Sequence, residues 1–93
     1  MFNILLAEDD KNLRKLMEIR LKDNKFNVYS ASNGKEALDK LYNNPVDIMV
    51  VDIMMPIMDG YELVKTARQD YPNIPAIMVT AKDAFEEIGR AHV

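Results

Sequence analysis

Residues 46–60 read VDIMVVDIMMPIMDG, and the fold follows from how this stretch is parsed. Ile48, Met49, Val50 and Val51 form an unbroken apolar run, short enough for a strand and uniform enough for one buried on both faces. The run ends on Asp52. A buried carboxylate costs on the order of several kcal/mol unless something pairs with it, so a strand that delivers one to its tip needs a reason. Pro56 and the pair Asp59–Gly60 are turn residues. Tyr61, Leu63, Val64 and Ala67 then suggest a helix that opens near Asp59.

The same grammar extends in both directions. Phe2–Ala7 is a short apolar run that reads as a buried strand. Leu13, Leu16, Met17 and Leu21 fall on one face of an amphipathic helix over Lys11–Asp23, which Asn24–Lys25 ends. Phe26–Ala31 is a second strand, and Ser32–Asn33–Gly34 is a turn. Ala37, Leu38 and Leu41 mark a helix that stops near Asn43–Asn44–Pro45. After a loop at Tyr71–Pro75, Ala76–Val79 is a fourth apolar strand ending at Thr80. Asp83 can cap a last helix from Ala84 to about Ala91. Strand–helix alternation with uniformly apolar strands predicts an α/β fold, a parallel sheet covered by helices on both faces.

The totals narrow the function classes. Ninety-three residues suit a single small domain. Fifteen acids against 12 bases give a net charge of −3, so there is no basic footprint for nucleic acid and no attraction to an anionic membrane. Without cysteine there is no disulfide, thiolate or Cys-ligated zinc, and the lone His92 has no ligand cluster around it. No segment reaches the roughly 20 apolar residues of a membrane span. The N-terminus also lacks a signal peptide's basic start, and a cytoplasmic location is expected.

In open α/β sheets, ligands bind outside the carboxyl ends of the strands. Here those ends carry Glu8–Asp9–Asp10, Asp52, and Thr80–Ala81–Lys82. Carboxylates converging on one crevice repel each other, and a hard divalent cation such as Mg2+ relieves that repulsion. Asp10 is better placed to cap the first helix. The three glycines, Gly34, Gly60 and Gly89, form neither a GxGxxG nor a GxxxxGK[ST] loop, which argues against a nucleotide site.

Taken in order, ILLAEDD, VVDIMMPIMDG and IMVTAK resemble the receiver domain of bacterial two-component response regulators, over residues 1 to about 86. The winged-helix transcription-factor type, with its Glu–Asp pair, is the most similar. The resemblance implies a flavodoxin-like doubly wound parallel sheet. Asp52 matches the phosphoacceptor that takes a phosphoryl group from a histidine kinase. Glu8, Asp9, Asp52 and the Met54 backbone carbonyl match the Mg2+ ligands. Thr80 matches the switch hydroxyl and Ala81 the small residue beside it. The implied role is signalling rather than enzymatic turnover, upstream of DNA-binding transcriptional control.

The chain also departs from the pattern. The family is similar in having five strand–helix units, in the flavodoxin-like strand order; residues 1–93 hold four, as a single truncated receiver domain. The lysine at the end of the fifth strand is missing, and Lys82 does not replace it. A bare sheet edge and face predict self-association or exchange of elements between copies. Two other readings stand beside this one. One is a Mg2+-dependent aspartyl-nucleophile phosphatase, suggested by the Glu8-x-Asp10 spacing. The other is a non-catalytic interaction module.

Overall fold

The computed structural model describes residues 1–79. Four parallel strands, β1 (Asn3–Ala7), β2 (Asn27–Ala31), β3 (Ile48–Asp52) and β4 (Ala76–Val79), lie in the order β2-β1-β3-β4. Three helices connect them: α1 (Lys11–Asp23), α2 (Gly34–Asn43) and α3 (Gly60–Asp70). This is the expected α/β, flavodoxin-like arrangement. Because β1 is flanked by β2 on one side and β3 on the other, the chain reverses its winding between β1 and β3. That opens a crevice at their carboxyl ends.

Register aligns the two strand tips that carry acids. Ala7 pairs with Ala31 and with Val51, and Asp52 pairs with Val79. The residues after Ala7 therefore sit beside the last residue of β3. The central strand behaves as its composition demands: Ile4, Leu5, Leu6 and Ala7 are all buried. Leu5, Ala7, Met49 and Val51 point to one face. There they pack with Ala37 and Leu41 of α2 and Leu63 and Ala67 of α3.

On the other face α1 lies over the sheet, with Leu16, Met17 and Leu21 lining a groove against Val50. Leu16 belongs to the apolar stripe of α1 but is 51% exposed, and no residue of α1 is buried. The reason is tertiary. Ala76 and Met78 of β4 pack into the α2–α3 core, so Ile77 points to the α1 side, where it is 53% exposed. Among the described residues this flank stays open.

Local chemistry sets the helix ends. Asp10, Asn33 and Asp59 cap the three helices, their side chains accepting from the backbone N–H of Leu13, Glu36 and Glu62 at 3.0, 2.9 and 2.8 Å. α1 closes with Lys25 at φ 68, where Lys25 N–H donates to Lys22 and Phe26 N–H to Leu21, a Schellman ending without the usual glycine. Phe2 and Phe26, read as strand residues, lie one position outside β1 and β2. They meet edge-on at 5.9 Å between ring centroids.

Candidate functional site

β1 hands the chain to Glu8 and Asp9, and β3 finishes on Asp52. Parallel register then forces these acids together. One carboxylate oxygen from each of Glu8, Asp9 and Asp52 lies within 4.8 Å of the others. Glu8 and Asp52 are buried, at 3% and 4% exposure, while Asp9 is half-buried and reaches toward the opening. The expected cluster therefore exists, assembled from residues 44 positions apart in sequence (52 − 8).

The electrostatics follow from that crowding. The Glu8 carboxyl is pushed up from 4.5 to about 8. Burial is the main cause, followed by hydrogen bonds to the Asp52 and Asp9 side chains and the negative charge of Asp52. Burial and crowding among the three acids thus favour the protonated form of Glu8. Asp10 N–H donates to Glu8 Oε2 at 3.4 Å, and Met54 N–H donates to Asp52 Oδ1 at 3.2 Å. The three side chains offer a cation carboxylate oxygens, the donor type a hard divalent ion prefers.

Backbone close approach shapes the rest of the site. Gly60 N–H donates to Ile53 C=O at 2.9 Å, which folds the β3–α3 loop back onto the strand tip. A Cβ at Gly60 would stand 2.5 Å from the Asp52 carbonyl oxygen, so only glycine lets α3 begin here. Within the loop, Met58 N–H donates to Pro56 C=O at 2.7 Å around Ile57, whose φ of 70 is unfavourable for a β-branched residue. Beside the acids lies an open cleft of about 770 Å³, lined by Asp9, Met54, Met55, Pro56 and Tyr61 among others. The Met54 and Tyr61 side chains are exposed on its rim.

Asp10, whose carboxylate caps α1, stands outside the acidic trio. Thr80, Ala81, Lys82 and the capping role of Asp83 lie outside the described residues. Sequence reasoning passed over Arg14. It donates to the backbone at Glu8 and Asp9, contacts that no residue-type pattern reveals.

Comparison with known proteins agrees with this geometry. The family described as the response regulator receiver domain matches residues 4–92. The heme response regulator HssR of Staphylococcus epidermidis is 43% identical over 91 residues, 98% of this chain and 40% of that protein. The chain thus spans about two-fifths of the length of this curated relative. Among solved structures, the chemotaxis protein CheY4 of Vibrio cholerae superposes with a TM-score of 0.82 at 28% identity, covering 96% of this chain and 79% of that one. A chain from the complex of histidine kinase ThkA with response regulator TrrA gives 0.81 at 32% identity, covering 87% and 70%. With the strand order, the acid trio and these matches in agreement, the chain belongs to the response regulator receiver domain family.

Proposed function

We propose that this chain, residues 1–93 as a single receiver domain, accepts a phosphoryl group on Asp52 from a histidine kinase and carries the signal onward. The observation that supports it most is the meeting of Glu8, Asp9 and Asp52 at the mouth of the sheet. A carboxylate is a competent nucleophile toward phosphorus. An Asp52 oxygen attacks the phosphorus, the bond from phosphorus to the kinase imidazole breaks, and its electron pair stays on that nitrogen. An acyl phosphate remains on Asp52. The chain's own contribution is alignment: Met54 N–H holds Asp52 Oδ1, and Gly60 keeps the loop clear of the strand tip.

Glu8, Asp9 and Asp52, with the Met54 backbone carbonyl, are the residues that would hold Mg2+. Once bound, the ion supplies charge neutralisation for the incoming phosphoryl group. Thr80 and Ala81 complete the site in this reading, as switch hydroxyl and as space for the phosphoryl group. The kinase assignment is supported by the ThkA–TrrA complex, and an output in transcription by HssR. The domain is a substrate of the kinase rather than a turnover enzyme. No helix among the described residues is long and apolar enough to cross a membrane, and we place the domain in the cytoplasm, without a nucleic-acid role of its own.

Self-association, or exchange of elements between copies, is part of the proposal. Its support is the half-exposed Leu16, Ile19 and Ile77 on the α1 side. Light scattering over a dilution series checks it, and a concentration-independent monomer removes it. The phosphatase reading loses its second acid, because Asp10 caps α1. The main test is labelling with acetyl phosphate and Mg2+, read by intact mass. The wild-type chain should gain one phosphoryl group and Asp52→Asn none. Labelling of both would end the assignment of Asp52.

A further inference from the structure

The β1–β2 ladder ends at the acidic site. Glu8 N–H donates to Ala31 C=O at 3.0 Å, the slanted parallel bond that closes the Ala7–Ala31 pair. β2 then turns away, and Ser32 N–H donates to the Glu36 carboxylate at 3.3 Å. The Glu8 carbonyl accepts from Arg14 Nη1 at 2.8 Å, and the Asp9 carbonyl lies 3.5 Å from the same nitrogen. Arg14 stands in the first turn of α1, anchored by its own N–H to Asp10 C=O at 2.8 Å. One guanidinium from the helix thus grips the backbone of the two residues whose carboxylates converge on Asp52.

We propose that Arg14 is a positioning residue for the cation site. Its grip on the Glu8 and Asp9 carbonyls fixes the β1–α1 loop, so that both carboxylates face Asp52. The inference rests on the reading of that trio as a Mg2+ site. It makes a prediction of definite sign, because two effects of Arg14 oppose each other. As a positive charge near the site it repels a cation, so charge alone makes Arg14→Met bind Mg2+ more tightly. As a clamp it pre-orders the ligands, and its loss makes Mg2+ bind more weakly. Groups that orient metal ligands typically contribute about 10- to 100-fold in affinity, and a clamp acting through backbone belongs at the low end, roughly tenfold.

The experiment is isothermal titration of the chain with MgCl2, together with acetyl-phosphate labelling rates over a Mg2+ series. It uses wild type, Arg14→Met, Arg14→Lys and the exposed Lys15→Met as a charge control. Expected are Mg2+ binding about tenfold weaker in Arg14→Met, an intermediate loss in Arg14→Lys, and no weakening in Lys15→Met. At saturating Mg2+ the labelling rate of Arg14→Met should return to the wild-type value. Unchanged or tighter Mg2+ binding in folded Arg14→Met overturns the proposal. So does a rate that saturating Mg2+ fails to restore, which would mean Arg14 acts on the phosphoryl group directly. If Arg14→Met does not fold, Arg14→Lys decides by the same readout, since its single ammonium reaches one carbonyl at a time. Wild-type chain that binds no Mg2+ would end the metal reading and this inference together. Wild-type binding with an indifferent Arg14→Met would end this inference alone.

Discussion

The two ends of the sheet are built on opposite principles. At the amino end every polar contact is complementary. Asn3 N–H donates to Asp47 Oδ2 at 2.7 Å, Asn27 donates to the Asn3 side chain at 3.0 Å, and the Tyr42 hydroxyl donates to Asp70 at 2.9 Å. That last bond, from α2 to α3, also keeps the Tyr42 proton on, raising its pKa. At the carboxyl end like meets like: three acids crowd together, two of them buried, and the Glu8 carboxyl is pushed up as a result. The first end spends its polar groups on holding the fold. The second concentrates acidic groups whose repulsion a cation can relieve. Stability and reactivity are thus separated along the strand axis, a length of five residues in β1 and β3.

The sharpest way to break this contrast is Asp52→Asn. Phosphoryl labelling should vanish, while stability without metal should rise, because a neutral amide replaces a buried carboxylate beside two other acids. Denaturant melts in EDTA read the second effect, and a less stable variant would contradict the picture of stored repulsion. Next in size is Gly60→Ala. With 2.5 Å to the Asp52 carbonyl oxygen, the added Cβ forces the β3–α3 loop away. A loss of roughly 1–3 kcal/mol is expected, with slower labelling from a displaced Asp52.

A third prediction concerns pH. Glu8 has a folded value of about 8 against an ordinary 4.5. Between those values the folded chain holds a proton that the unfolded chain has released, so its contribution to stability falls as pH rises through that window. Metal-free melts from pH 5 to 8 should show the decline, Glu8→Gln should flatten it, and Mg2+ should reverse it. A wild-type profile that rises over the same range would place the proton elsewhere. The smallest effect belongs to the amino end. Asp47→Ala should cost about 1 kcal/mol, the net worth of a hydrogen bond that is not buried, and leave Mg2+ affinity and labelling unaltered.

The two faces of the sheet carry a related lesson. Val50 and Val51 are adjacent valines in one strand, yet Val51 is fully buried against α2 and α3 whereas Val50 lines an open groove under α1. Nothing in residue type separates them. Among the described residues one face receives α2 and α3 and the other α1, and which face each helix takes is a property of the winding.

The sequence alone determined the elements and the chemistry. Apolar runs of strand length, helical stripes and capping residues at Asp10, Asn33 and Asp59 specify local structure through contacts within a few residues of each other. An acid at the tip of each of two apolar strands announces a polar site. Tertiary structure decided what those local signals could not reach. Parallel register brought Glu8, Asp9 and Asp52 within 4.8 Å and raised the Glu8 carboxyl to about 8. The end of the β1–β2 pairing at Ala31 left the Glu8 carbonyl to Arg14, and the open flank exposed Leu16 despite its place in an apolar stripe. The physical reason is the same in each case: burial and charge proximity depend on distances between residues far apart in the chain, and those distances exist only once the sheet has formed.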